Sequence, residues 1–427
     1  MIEDLAPGGE GLARQGGRAV FVPFTAPGDR VLAEVPPGDG PVHVALLEVR
    51  SGGPSRLVPP CRHFGSCGGC EWLHLAYPAQ LAAKARTVAA ALRRIGRLDP
   101  AAVGLRPVIP SPAALRYRTR AKFHHDRESG RLAFFQRRSH LAVPLAECHL
   151  LVPALEALRE AVGPALSAAR VPAREVVLEW SEAEGKAAVL LRVPEVTDAA
   201  RARAEALLEA VPALAGAVLQ AEEGPAVAAG EPVLRQPRVP GDPAAGLQRS
   251  RPDVFQQANR GANALLVRTA LDLLAPEGAD VLELYCGAGN FTGPLGRRAR
   301  SVAAVEVQGP ALELARADQA ERGGGQVRFF AGDALKLALA FARERGPGAR
   351  RFDAVLLDPP RQGAKGIGPA LRALEVPRAV YVSCDPATLA RDVRGCVEAG
   401  YRVTTVVPVD MFPQTHHVEA MVALERT

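Results

Sequence analysis

The sequence predicts an α/β protein: a mostly parallel sheet covered by helices in its C-terminal part, with a small β-barrel and a mixed middle part before it. From about residue 250 onward, short apolar runs alternate with helical segments. Strands buried on both faces by crossover helices read in this way. The first fifty-odd residues instead show β-runs cut by glycine and proline turns, and three closely spaced cysteines follow them.

The N-terminal runs are Val20–Phe24, Arg30–Val35 and Val42–Val49, separated by Pro-Gly-Asp and Pro-Pro-Gly-Asp-Gly. Strands spaced by such turns suggest a small barrel. Gly52-Gly53-Pro54-Ser55 and Pro59-Pro60 form a hinge after it. A helix is expected from Pro78 to Gly96, with Leu81, Ala85, Val88, Leu92 and Ile95 on one stripe and Lys84, Arg86, Arg93 and Arg94 off it. Proline opens and glycine closes that segment. Residues 116–145 read as antiparallel strands turning at Asp126–Gly130, and Arg201–Ala210 as a helix within a weakly patterned stretch. The Gly/Pro/Ala-rich tract 221–245 is the best boundary, so the expected parts are 1–56, 57–245 and 246–427, with helix 78–96 able to pack on the last. There, Val281–Tyr285, Ser301–Val307, Gln326–Phe330, Phe352–Leu357, Ala379–Ser383 and Arg402–Val407 are strands. Helices are expected around 262–274, 310–321, 334–344 and 386–399.

Hydrophobic residues make up 48% and charged residues 23% of the 427, which excludes wholesale disorder and fibrous repeats. No run reaches the roughly 18–20 apolar residues of a membrane helix, and Met1-Ile2-Glu3-Asp4 does not open a signal peptide. A cytoplasmic protein is expected. The net charge of +6 permits a polyanionic partner without demanding one. All but five of the basic residues are arginine, which reads as the bias of a GC-rich genome. Seven cysteines in a long chain argue against a disulfide framework and for metal ligands or nucleophiles.

The first strand of the C-terminal part ends Glu283-Leu284-Tyr285-Cys286-Gly287-Ala288-Gly289-Asn290-Phe291. Glycines there let the backbone approach a cofactor beyond the strand's carboxyl end. Glu306 ends the next strand, where a carboxylate can accept bonds from ribose hydroxyls, and Asp333 follows the third, suited to an adenine. Gly293 comes one residue late for G-x-G-x-x-G, which favours a nucleoside cofactor such as S-adenosylmethionine over a nicotinamide dinucleotide; an ordinary strand-to-helix turn is the alternative. Asp358-Pro359-Pro360-Arg361 places a carboxylate on a stiff turn after the fourth strand. Cys384 follows the fifth, just before a helix, where a lowered pKa would suit a nucleophile. Cys61, Cys67 and Cys70, with Cys148 more distant, can hold an iron–sulfur cluster or tetrahedral zinc. A basic, aromatic stretch over 116–125 and 131–138 can meet phosphates and unstacked bases, or be a solvated strand face.

Tyr381–Arg391, Asp358–Arg361, Asp410–Glu419 and Phe255-x-Gln257-x-Asn259 together resemble the signatures of the iron–sulfur RNA uracil-5-methyltransferases. Gly8–Ala13 and Val20–Pro23 are similar to the OB-like TRAM domain that many of them carry. Asp385 and Tyr285 depart from the usual asparagine and phenylalanine, and neither removes a reacting group. The resemblance implies a Rossmann-like class I methyltransferase domain and a central α+β domain with a [4Fe–4S] cluster on Cys61, Cys67, Cys70 and Cys148. It implies Cys384 as the nucleophile that adds to uracil C6 and Glu419 as the base that removes the C5 proton. Gln257, Tyr285, Gly287, Asn290, Glu306, Asp333 and Asp358 would bind S-adenosylmethionine, with Gln257 and Asp358 also able to orient the uracil edge. The expected partner is RNA, ribosomal first and transfer RNA second, met by a monomer with no membrane. A non-catalytic RNA-binding protein is the reading from another class.

Overall fold

The computed structural model describes residues 1–323, 326–344 and 348–427. Its first strands are β1 (Asp4–Leu5), β2 (Gly11–Gln15), β3 (Arg18–Val22), β4 (Arg30–Leu32), β5 (Val42–His43) and β6 (Glu48–Ser51). They pair as a sheet β1–β2–β3–β5 and a separate ribbon β4–β6, with Ile2, Val20, Val22 and Val44 in the core between them. The strand expected over 42–49 is therefore split. Val44 N bonds to Phe21 O and Leu47 N to Leu32 O, so the chain crosses from one sheet to the other within that run. The pairing is that of two small sheets, not one continuous barrel.

Helix α1 (Tyr77–Ala91) starts with proline in its first turn and widens into a π turn over Leu92–Gly96, which Arg97 closes at φ 54°. Val88 and Leu92 enter the C-terminal core. Lys84, which lies off the apolar stripe, is nonetheless fully buried against Asp410. The helix is covered on two sides, so the single-stripe reading missed its polar contact face. Beyond it, Leu105 and Ile109 bridge to Val406 and Val409 and extend the edge of the C-terminal sheet.

The middle part contains β7 (Arg120–Asp126), β8 (Arg131–Phe135), β9 (Ala142–Pro144), α2 (Pro153–Ala168), β10 (Glu175–Ser181) and β11 (Lys186–Arg192). It continues with α3 (Asp198–Ala210), β12 (Leu214–Gln220) and β13 (Val227–Gly230). The strand order is β13–β12–β11–β10–β7–β8–β9, and β11–β12, joined through α3, is its parallel pair. Leu155, Leu158 and Val162 of α2 and Ala204 and Leu207 of α3 share a core with Phe123, Leu132, Val176 and Leu178 of the sheet. A ribbon of β14 (Leu234–Pro237) and β15 (Leu247–Ser250) then leads into α4 (Arg260–Leu274).

The remaining elements are β16 (Asp280–Leu284), α5 (Thr292–Arg298), β17 (Ser301–Glu306), α6 (Gly309–Arg322), β18 (Val327–Ala331), α7 (Ala334–Arg343) and β19 (Ala354–Leu357). After these come α8 (Ile367–Leu374), β20 (Arg378–Ser383), α9 (Pro386–Glu398), β21 (Tyr401–Val409) and β22 (Glu419–Arg426). The order β18–β17–β16–β19–β20–β22–β21 is parallel except for β22, which runs antiparallel between β20 and β21. Apolar runs such as Ala354–Leu357, buried throughout, suit a sheet covered on both faces. The short helices α5 and α8 escaped the sequence pattern, since each is brief and interrupted by glycine and proline.

The reversal of β22 decides the layout of the site. Parallel strands all end at one edge, and only a reversed strand begins there. Glu419, the first residue of β22, therefore lies at the edge where β16, β17, β19 and β20 finish.

Candidate active site

Ser383 pairs with Ala420 across β20 and β22. One step further along the same register, Cys384 faces Glu419. Asp358 follows β19, the neighbour of β20 on its other side. The three groups interact: Glu419 and Asp358 raise the Cys384 pKa, and Arg361 lowers it. Cys384 is only partly buried and lines a cavity of about 360 Å³ with Arg361, Asp385, His416 and His417. The last turns of α1, through Thr87, Ala91 and Arg94, form the opposite wall.

The Cys384 thiol is not activated as the sequence suggested. Burial, then the Glu419 carboxylate, push its pKa up to about 11. The partial positive charge of the α9 N-terminus is met by Asp385, whose carboxylate caps the helix by accepting from Thr388 N at 2.8 Å. Burial raises the Glu419 and Asp358 carboxyls as well, and Asp358 adds to the rise of Glu419. Two acids in one enclosed space do not both ionise readily. The thiol and the two carboxyls beside it are thus shifted towards their neutral forms.

On the β16 side, Tyr285 at φ 63°, Gly287 at φ 54° and Gly289 at φ 85° form the turn. A side chain on Gly287 would meet nothing within 4 Å, so the backbone there is open to a ligand. Glu306 Oε2 accepts from Gly287 N at 2.9 Å, while Oε1 accepts from Val307 N and Gln308 N at 2.8 Å each. That fixes the carboxylate across the glycine turn, with acceptor capacity left over. Asp333 is exposed and caps α7 through Lys336 N at 2.8 Å; burial first, and then Asp333, Asp392 and Glu306, raise the Tyr285 pKa. The Asn290 amide is held by Asn263 through two bonds of 2.9 and 3.0 Å. Gln257 is half-buried. Two buried residues beneath the turn had no signal in the sequence. Glu283 has both carboxyl oxygens unpaired, and burial pushes it up to about 8. Arg238, from the segment after β14, donates to Gly289 O at 3.3 Å and is lowered to about 9 by burial.

Cys61, Cys67, Cys70 and Cys148 line one small cavity with His63, Phe64, Arg118 and Glu147. Burial is the first cause of a raised pKa at all four thiols, and Cys67 is pushed up to about 11. Among the described residues, no three His, Cys, Asp or Glu side chains converge as ligands of a single ion. The basic stretch read from sequence is largely committed to internal partners. Arg118 faces the thiols, Arg120 pairs with Glu179 at 2.7 Å, and Arg137 and Arg138 reach Glu10 at 3.2 and 3.3 Å. Phe134 stacks on buried Phe123 and Phe135 on His124, with centroids 5.0 and 3.6 Å apart.

A family model described as tRNA (Uracil-5-)-methyltransferase matches residues 241–427. The 23S rRNA (uracil(1939)-C(5))-methyltransferase RlmD of Pseudomonas putida is 36% identical over 438 residues, covering 99% of this chain and 92% of its own. Its counterpart from Klebsiella pneumoniae is 35% identical over 437 residues, covering 100% of this chain and 95% of its own. The chain belongs to the RNA uracil-5-methyltransferase family. The Pyrococcus abyssi tRNA (uracil-54, C5)-methyltransferase, solved with S-adenosyl-L-homocysteine, shares the fold: its TM-score is 0.74 at 22% identity, over 99% of both chains. This uracil-5-methyltransferase is thus an enzyme dependent on S-adenosylmethionine. The open glycine turn, the fixed Glu306 carboxylate and the unpaired Glu283 carboxyl fit such a nucleoside at the end of β16. Among the described residues, no helix is long and apolar enough to cross a membrane.

Proposed function

We propose that this enzyme methylates C5 of a uridine in 23S ribosomal RNA through a covalent bond between Cys384 and uracil C6. The observation that carries this reading is the end of the β20–β22 ladder, which brings Cys384 beside Glu419, with Asp358 and Arg361 near enough to shift the thiol. The ribosomal substrate rests on full-length relatives whose names state it. A cytoplasmic location follows from that substrate.

When bound, S-adenosylmethionine supplies a methyl group made electrophilic by its sulfonium. The remaining work is done by this chain's side chains. The Cys384 thiolate adds to C6 and pushes electron density onto C5, which then attacks the methyl carbon as the methyl–sulfur bond breaks and its electron pair returns to the sulfur. Glu419 takes the C5 proton, and the electrons of that C–H bond rebuild the ring double bond as the thiolate leaves. A carboxyl with a raised pKa suits the task, because a base works best with an affinity near the operating pH. Gln257 and Asp358 orient the uracil edge or the methionine end of the cofactor, while Tyr285, Gly287, Asn290, Glu306 and Asp333 contact its nucleoside. The target base has to leave its stack to reach the cavity, which costs a few kcal/mol and favours a loop uridine.

The four buried cysteines would hold a [4Fe–4S] cluster, one iron to each thiolate. Such a cluster needs no common point among its ligands, whereas tetrahedral zinc does. Its role would be structural, bracing the RNA-binding surface near Cys148. The N-terminal sheets would add an RNA-binding surface of the TRAM kind.

The test is incubation with labelled S-adenosylmethionine and either unmodified 23S ribosomal RNA or transfer RNA, for the parent and Cys384→Ala. Label in ribosomal RNA supports the assignment, and label confined to transfer RNA replaces the substrate. Full activity in Cys384→Ala refutes the covalent route.

A further inference from the structure

The loop from Asp410 to Val418 leads into Glu419, and residues distant in sequence hold it almost peptide by peptide. Asn259 Nδ2 donates to Met411 O at 3.1 Å, Lys84 Nζ to Phe412 O at 3.0 Å, and the Tyr117 hydroxyl to Pro413 O at 3.0 Å. Glu71 N and Trp72 N both donate to Gln414 O at 3.0 Å. Gln414 has φ 69°, costly for a residue with a side chain, and exchanges two 2.9 Å bonds with the Gln80 amide. The final hold is the Glu71 carboxylate. Its Oε2 accepts from His416 Nδ1 at 2.8 Å and from His416 N at 3.2 Å. Among the described residues, no hydrogen bond from outside the loop reaches the stretch between His416 and Glu419.

His416 occupies a junction. It lines the Cys384 cavity and also a second cavity of about 560 Å³ bounded by Gly8, Gly69, Arg118, Phe135 and Arg137. Its ring lies 4.3 Å from that of His417, a further wall of the Cys384 cavity. On the other side Gly9 packs against it: a Cβ at Gly9 would come within 3.1 Å of His416 Cβ. Trp72, fully buried, donates to Gly9 O at 2.8 Å and keeps that turn in place.

We propose that Glu71 is a positioning residue for the reaction: by gripping His416 it fixes the approach to Glu419 and the wall formed by His416 and His417. This rests on the covalent reading above. Without the grip, Cys384 still adds to C6 and C5 still takes the methyl, because Cys384 stands at the end of β20 and its reacting sulfur is not carried by the loop. The C5 proton then has no aligned carboxylate to accept it. The C5–H electrons stay in place, the C6–S bond does not break, and methylated RNA remains attached to the enzyme. A 1 Å misplacement of a reacting group costs on the order of 100-fold.

The test compares Glu71→Ala, Glu71→Gln, His416→Ala and Glu419→Gln in the full-length protein with 23S ribosomal RNA transcribed in vitro and S-adenosylmethionine. Steady-state rates and RNA–protein adducts on denaturing gels are both measured. Glu71→Ala should lower kcat by about 10- to 100-fold, leave KM for S-adenosylmethionine unchanged, and accumulate adduct as Glu419→Gln does. Glu71→Gln keeps an acceptor for His416 N and should recover most of the rate. His416→Ala leaves the cysteine loop intact and should show a smaller loss with the same adduct. Parental kcat in Glu71→Ala overturns the proposal, and so does turnover lost without adduct while Glu419→Gln accumulates it. Absence of adduct in Glu419→Gln as well overturns the covalent reading beneath it.

Discussion

Lys84→Met keeps most of the length of the side chain and deletes its ammonium, leaving the Asp410 carboxylate without its partner where water is excluded. Both side chains are 0% exposed and the N–O distance is 2.5 Å. The same ammonium donates to Phe412 O at 3.0 Å, and Asp410 Oδ1 accepts from Phe412 N at 3.1 Å. Removing one partner of a buried pair costs about 3–5 kcal/mol, whereas replacing both is often close to neutral. At roughly 2–4 °C per kcal/mol, the single change should lower the melting midpoint by on the order of 10 °C. The double variant Lys84→Met, Asp410→Asn should recover most of that loss. Thermal scans followed by circular dichroism, at matched protein concentration, measure Lys84→Met, Asp410→Asn and the double variant. A Lys84→Met protein that melts within about 2 °C of the parent would refute the argument. So would a double variant whose loss equals the sum of the two single losses.

Cys384 carries a pKa raised to about 11, so its thiolate is the minor form at neutral pH. Its alkylation by iodoacetamide should climb with pH across 6–9 by nearly tenfold per unit. Glu419→Gln removes a negative neighbour that raises this pKa and should shift the curve to lower pH; a shift upward contradicts the site. Gly293→Ala would place a Cβ 2.1 Å from Arg322 Nη1 and 2.6 Å from Arg238 Nη2. Displacing Arg238 from beneath the glycine turn should weaken S-adenosylmethionine binding by about tenfold, or 1.4 kcal/mol, in titration calorimetry. Glu10→Ala removes the acceptor shared by His43, Arg137 and Arg138, and trypsin should then cut faster at Arg50 and Arg56. Cys148→Ser should lose the brown visible absorption and iron expected of anaerobically purified parent protein, and zinc in the parent would contradict the cluster.

What could be read from the chain was what is local. The apolar runs from 281 to 407 give their strands directly, because a strand buried on both faces needs no partner to look apolar. The site residues stand at the ends of those runs, where a parallel sheet opens, and so Cys384, Asp358 and Glu306 were visible one by one. Their relation was not. Nothing in Glu419–Arg426 says that this strand runs backwards between β20 and β21, yet that reversal sets Glu419 across from Cys384. Lys84 gave no sign of burial because its partner lies 326 residues away. Arg120 was read as open to phosphate because Glu179, which takes its charge, sits on another strand. The Cys384 pKa was judged from a helix N-terminus alone, without Asp385 capping that helix or Glu419 facing the thiol.

The same reversal explains why a methyltransferase sheet needs the rest of this chain. A carboxylate carried at the start of a strand hangs from the loop that enters it, and a loop is only as well placed as its contacts. Here those contacts come from Lys84 and Gln80 on α1, from Glu71 and Trp72 in the cysteine loop, and from Tyr117 ahead of β7. The N-terminal turn at Gly9 closes the arrangement against His416. On the proposed mechanism, residues 1–250 therefore fix the approach to Glu419. Folded fragments that keep the glycine turn but lack that frame should bind S-adenosylmethionine and leave RNA unmethylated.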